Sequence, residues 1–177
     1  MVITSPGVRR KVIYNGGKTT FEWINYKWCN GNINAMTKYC SNSGLGYEGF
    51  TDDLTELELA DDTAYVNWGP AWRMPSIEQF QELINSSNTT TECTMLNGVS
   101  GRMITSKKNG NSIFLPAAGF RNYDSLSNDG SEGFYWTRSV ESDTPSAKRL
   151  SFDSSRIVEN NYFRSVGQSV RPVWLSK

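Results

Sequence analysis

From Gly101 onward the chain is a succession of short apolar-rich runs parted by polar turns, a rhythm that points to a β-rich fold. Gly101–Ser106 and Ser112–Phe120 flank the turn Lys108-Asn109-Gly110-Asn111 and read as a hairpin. Gly133–Val140, Ala147–Phe152, Arg156–Phe163 and Ser169–Leu175 follow as further strands. Upstream the period changes. Ser76-Ile77-Glu78-Gln79 spells a capping box, in which the serine hydroxyl accepts the N–H of Gln79 and the glutamine side chain accepts that of Ser76. Ile77, Phe80, Leu83 and Ile84 then share one helical face, and Asn85–Thr91 reads as a polar exit loop. An earlier helix is expected over Leu54–Trp68. Asp53 or Thr55 would cap it, Leu57, Ala60, Ala64 and Trp68 would form its stripe, and Gly69-Pro70 would end it. Residues 30–53 read as loop, and Val8–Tyr14 and Thr19–Ile24 predict a hairpin around Asn15-Gly16-Gly17. Early helices and late strands make an α+β domain. With no internal repeat, low-complexity tract or linker, the 177 residues read as one domain.

Composition removes several functions. There is no histidine, so a Ser-His-Asp triad, a Cys-His pair and a His-ligated zinc are excluded. Three cysteines are too few for a four-thiolate zinc site; Cys29 and Cys40 could pair across their loop, or all could stay free thiols. Lys plus Arg and Asp plus Glu balance at 18 each, which argues against nucleic acid as the main partner. No run approaches a membrane span, so no direct membrane insertion is expected. Met1–Ile13 has no apolar stretch suited to a secretion signal, so export would need a leader ahead of it or carriage by another machine such as a phage particle.

Charge is unevenly spread. Between Lys38 and Arg73 no residue is basic, while Glu48, Asp52, Asp53, Glu56, Glu58, Asp61 and Asp62 are acidic. That segment reads first as a solvated acidic face. Calcium is the sharper alternative, but the spacing matches no EF-hand loop and no metal or cofactor is expected.

Tyr135 and Trp136 read as core. Around them lie Tyr123, Phe134, Thr137, Arg138, Glu141, Lys148, Arg149, Arg156, Glu159, Asn161, Tyr162, Phe163 and Arg164. These aromatics, guanidiniums and carboxylates on short strands and turns are the candidate ligand-binding set, since aromatic and Arg side chains are enriched at binding hot spots.

Several segments match one family pattern in order. They are Tyr26-Lys27-Trp28-Cys29-Asn30-Gly31, Leu57-Glu58-Leu59-Ala60-Asp61-Asp62 and Trp68-Gly69-Pro70-Ala71-Trp72-Arg73-Met74-Pro75-Ser76, then Asn109–Asn122, Gly133-Phe134-Tyr135-Trp136 and Gly167–Val173. Over roughly residues 26 to 174 the chain resembles the Fibrobacter succinogenes major paralogous domain family, while residues 1–25 depart from it. The Arg73-Met74-Pro75-Ser76 lead-in and Val170-Arg171-Pro172-Val173 also resemble the formylglycine-generating-enzyme branch of the C-type-lectin-like fold. The resemblance implies that fold: two helices packed on a twisted, mainly antiparallel β core. Trp68, Trp72, Trp136 and Phe114 would fill the core, Gly69, Gly110, Gly119 and Gly167 would allow turns, and Arg73 and Arg171 would hold structural hydrogen bonds.

Some members resemble the variable proteins of diversity-generating retroelements, whose C-terminal part is rewritten at adenine-containing codons. This chain departs from the family's uniform strand at Tyr135-Trp136-Thr137-Arg138-Ser139, and carries Arg156, Glu159, Tyr162 and Phe163 amid Asn160 and Asn161. The sugar-binding calcium motifs of true C-type lectins are absent, and so is the cysteine pair of formylglycine-generating enzymes, because no cysteine follows Cys93.

The expectation is therefore a non-catalytic, adhesin-like and hypervariable binding domain outside the cell, on a cell surface or on a phage particle. Its partner would be a protein or glycan on a cell surface. The alternative is a structural pilus or phage tail-fibre tip or assembly subunit. An enzymatic reading would rest on paired carboxylates in segment 48 to 62, and an enzyme is not expected.

Overall fold

The structure is a computed structural model that describes residues 20–175. Its elements are α1 (Thr63–Trp68), β1 (Trp72–Arg73), α2 (Ile77–Ile84), β2 (Thr89–Leu96), β3 (Val99–Ser106), β4 (Ser112–Pro116), β5 (Ala118–Asn122), β6 (Ser125–Asp129), β7 (Gly133–Val140), β8 (Ser146–Phe152), β9 (Ile157–Phe163) and β10 (Val173–Trp174). They form a two-stranded β1-β10 sheet, a three-stranded β2-β3-β4 sheet and a five-stranded sheet in the order β6-β5-β7-β8-β9. The fold is α+β, and among the named strands pairing is antiparallel except for the β5–β7 contact at Gly119 and Gly133. No helix among the described residues is long and apolar enough to cross a membrane.

The capping box forms. Ser76 Oγ accepts the Gln79 N–H at 3.3 Å, and Gln79 Oε1 accepts the Ser76 N–H at 2.9 Å. Ile77 and Phe80 are buried, and Leu83 and Ile84 pack against the main core of Ile104, Ile113, Leu115, Ala117, Tyr135, Leu150 and Phe152.

The first helix is shorter than its apolar stripe predicts. It begins at Thr63, capped by buried Asp62, whose Oδ1 accepts the N–H groups of Ala64 (2.9 Å) and Tyr65 (3.1 Å). Residues 54–57 are instead extended beside β7: Leu57 donates to the Arg138 carbonyl at 2.8 Å and Val140 to that of Thr55 at 2.8 Å. Tertiary pairing overrides the helical spacing, so neither Asp53 nor Thr55 caps a helix.

Two strands were not expected. β2 occupies part of the supposed exit loop and turns at Asn97-Gly98, both at positive φ, the geometry of a two-residue hairpin turn. β6 follows β5 through Tyr123, also at positive φ. The second half of the expected β4 strand, Ala118–Phe120, crosses into the five-stranded sheet, where a Cβ on Gly119 would lie 2.1 Å from the Ser127 carbonyl oxygen.

Residues 167–169 wedge between β5 and β7. Gly167 exchanges backbone bonds with Arg121 (2.7 and 2.8 Å), and Ser169 bonds Phe134 and Trp136 (3.0 and 2.9 Å). Only Val173 and Trp174 of the expected last strand pair as a named strand. Most of the expected N-terminal hairpin lies outside the described residues. Where description begins, Phe21 bridges Tyr123 and Trp23–Asn25 form a 3-10 turn.

The expected tryptophan core is corrected for Trp68 and Trp72, while Trp136 packs on a buried cluster. Trp68 is exposed, Trp72 packs edge-on against exposed Trp174, and Trp136 and Phe114 are half-buried. A second core forms instead around Tyr39, which is fully buried with Val140 and Ala147 beneath Trp28, Leu54, Leu57 and Trp136.

Candidate ligand-binding face

Strand register sorts the candidate residues. Phe134 pairs with Ser151, Trp136 with Arg149, Arg149 with Asn160, and Ala147 with Tyr162, so these side chains share one face of the five-stranded sheet. Tyr135, Leu150 and Phe152 point the other way, into the core under α2.

A row of aromatic rings runs along the first face and round its rim, where Phe163, the last residue of β9, shares the alternation of Asn161 rather than that of Tyr162. Phe120 meets Phe134 edge-on at 5.3 Å and Tyr162 at 5.9 Å; Tyr162 contacts Phe163 at 6.0 Å, and Phe163 contacts Trp23 at 6.1 Å. Residues 21–23 thus run from the Tyr123 backbone to the Phe163 ring, joining two exposed aromatics along one rim.

Arg149 is inserted into this row. Its guanidinium lies 4.5 Å from the Phe134 ring centre and 4.1 Å from that of Tyr162, and its Nε donates to Asn160 Oδ1 at 2.7 Å. Burial pulls its pKa down to about 10. It lines a cavity of about 130 Å³ with Glu132, Ser151, Asp153, Arg156 and Asn160. A larger cavity of about 460 Å³ adjoins it through Glu132, Phe152 and Asp153, and is further lined by Cys93, Met95, Gly101 and Ala117.

Several expected ligand contacts are spent on the fold. Arg164 is buried and donates to the carbonyls of Ser146, Tyr39, Glu141 and Thr144. Thr137 is buried in the irregular stretch of β7, donating to the Lys148 carbonyl at 2.7 Å and accepting from Ser139 N at 3.1 Å. Arg138 ties residues 54–57 to the α2 cap through Glu56 (3.0 Å), the Met74 carbonyl (3.1 Å) and Gln79 (3.3 Å). Glu141 and Lys148 form an ion pair. Phe134 is buried under Arg149 and offers its surface only indirectly.

The remainder divide by position. Glu159 and Asn161 alternate to the α2 side, where Glu159 accepts from Gln81 at 3.0 Å. Arg156 is exposed in the β8–β9 turn, whose fold Asp153 fixes by accepting from Ser155 and Arg156 N–H groups. Those bonds, the Ser155 hydroxyl's foremost, hold the Asp153 carboxyl down at about 2. Tyr123 and Phe163 are exposed and Tyr162 is half-buried. Sequence reasoning missed Trp23, Phe120 and Asn160 as members of the face; strand register joins Asn160 to Arg149, and ring packing on Phe134 and Tyr162 joins Phe120.

The acidic segment is not simply a solvated face. Asp61 accepts from Lys27, Lys38 and the Tyr39 hydroxyl, each at 2.7 Å. Burial opposes its ionisation, yet these donors more than offset that and hold its pKa below the ordinary value. Burial, reinforced by Asp61, lifts the Tyr39 phenol to about 12. Asp52 accepts the backbone N–H groups of Tyr39 (2.6 Å) and Cys40 (2.9 Å). Cys29, Cys40 and Cys93 are free thiols, with burial pushing that of Cys29 up. Among the described residues no group of three or more His, Cys, Asp or Glu is placed to hold a metal ion.

Residues 103–173, running from β3 to β10 and including the whole five-stranded sheet, match a family described as a domain of unknown function (DUF8237). No curated protein and no solved structure matches the chain.

Proposed function

We propose that this is a non-catalytic ligand-binding domain of the C-type-lectin-like fold. Its recognition surface is the Trp23–Phe163–Tyr162–Arg149 face with Tyr123 on the rim. The observation that carries this is the division of labour within the candidate set. Arg138, Thr137 and Arg164 are consumed by the scaffold, whereas Tyr123 and Phe163 stand exposed and Arg149 faces a cavity. Exposed aromatics on a rigid sheet supply contact area at low conformational cost.

The resemblance to the Fibrobacter succinogenes major paralogous domain family and to variable proteins of diversity-generating retroelements supports the same reading: a fixed scaffold bearing a replaceable face. The target class is a protein or glycan on a cell surface, and the domain works outside the cell or on a phage particle. The test is an array of cell-surface glycans and proteins probed with the wild-type domain and with Tyr123→Ala/Phe163→Ala. Specific binding that the double variant loses, with its unfolding transition unchanged, supports the face. Binding that the variant keeps places the face elsewhere.

A further inference from the structure

We propose that Arg149 anchors a carboxylate subsite whose ligand carries its carboxylate on an apolar body, as the C-terminal residue of a peptide does. The proposal rests on the reading of this face as a ligand surface and names the chemistry it takes.

The argument begins with a comparison of buried arginines. Arg102, Arg149 and Arg164 are only 7, 7 and 8% exposed. A buried guanidinium needs acceptors for its donors. Arg102 Nη1 donates to the Asp153 and Arg156 carbonyls at 3.0 and 3.1 Å, and its Nη2 donates to Thr91 at 3.1 Å. Arg164 spends its fork on the Tyr39, Glu141 and Thr144 carbonyls. Arg149 is different. Its Nε is held by Asn160 and its plane is flanked by Phe134 and Tyr162, but neither Nη has an acceptor among the described residues. Nor does a carboxylate come within ion-pair distance of it among those residues. The guanidinium is thus fixed in orientation, with its two-pronged end unpaired among the described residues and turned to a cavity that Arg149 lines. That is the fork geometry a carboxylate satisfies with two parallel hydrogen bonds. The lowered pKa of Arg149 agrees, because burial disfavours its charged form and a bound anion would offset that cost.

The neighbours select among anions. Glu132 and Asp153 line the same 130 Å³ cavity beside Arg149 and Arg156, so a dianion such as phosphate meets about twice the repulsion from the two carboxylates that a monoanion does. Beyond Phe152, the 460 Å³ cavity presents Met95 and Ala117, which suits an apolar body better than a sugar ring that needs partners for its hydroxyls.

The test titrates the purified domain with N-acetyl-L-leucine, its amide, glucuronate and inorganic phosphate. Heat and the Arg149 Nε–H resonance are followed. The expected result is saturable binding of the acid that shifts that resonance, with the amide weaker by roughly tenfold or more. Arg149→Gln is expected to abolish the response. If that variant does not fold, Arg149→Lys keeps the charge without the fork and is expected to weaken binding by about tenfold. Equal binding of acid and amide, tighter binding of glucuronate or phosphate, full binding by the folded variant, or no saturable binding of the acid would each overturn the proposal. The exposed pair Tyr123 and Phe163 tests the wider face without touching Arg149, so the two readings can fail separately.

Discussion

The Arg164 guanidinium donates to the Tyr39 carbonyl at 2.8 Å across 125 residues of chain, locking the long loop to the edge of the sheet. The same side chain collects the Ser146, Glu141 and Thr144 carbonyls. Arg164→Ala leaves these acceptors without their donor, and the loss of a buried charged hydrogen-bond hub costs about 3 kcal/mol or more. Urea unfolding measures it. A cost below about 1 kcal/mol would show that the clasp is not structural.

Asp62 holds α1 and the chain beyond it together, since both its oxygens also accept the Met74 N–H at 3.0 Å. Asp62→Ala therefore removes more than a helix cap. The expected destabilisation is about 2–4 kcal/mol, against about 1 kcal/mol for a simple cap. Chemical denaturation distinguishes the two.

The α2 cap was legible because a capping box is a local rule: Ser76 and Gln79 are three residues apart and need no distant partner. Strands β7, β8 and β9 were legible from apolar runs and turns in the same way. The segment 54–57 departs from its helical spacing because it pairs with β7, and 58–62 turn on the Glu58 carbonyl, which no local pattern reveals. Strand β2 was signalled by Asn97-Gly98 but hidden by its polar composition. The site was half legible. Residue type singled out Arg138, Arg149 and Arg164 alike, but only three-dimensional placement shows that two are committed to the scaffold and one is not.

Acid should unfasten the Asp61 network. Asp61 titrates below its ordinary value of 3.8 in the folded protein. Its contribution is therefore complete above the unfolded value and is lost as pH falls through the folded one. Wild-type stability should drop on going from about pH 5 toward pH 2. Asp61→Asn should be less stable at neutral pH, with a shallower acid slope. Equal slopes for both proteins, measured by thermal unfolding across that range, would contradict the assignment.

Tyr123 and Phe163 are 59 and 47% exposed, so their truncation should leave folding almost intact. Tyr123→Ala and Phe163→Ala are each expected to change unfolding free energy by less than about 1 kcal/mol. Each should weaken ligand binding by about 1–2 kcal/mol if it anchors the interface. Calorimetric unfolding and the array binding signal report the two quantities independently.

The most direct measurement of the central claim is the sequence of the coding DNA and its flanks. A replaceable face predicts a near-copy of the region encoding Tyr123 to Val173 beside a reverse transcriptase. Its differences should be confined to adenines and concentrated at codons for face residues such as Tyr123, Arg149, Asn160, Tyr162 and Phe163, sparing Thr137, Leu150 and Arg164. No such copy, or differences scattered through those buried scaffold positions, would contradict it.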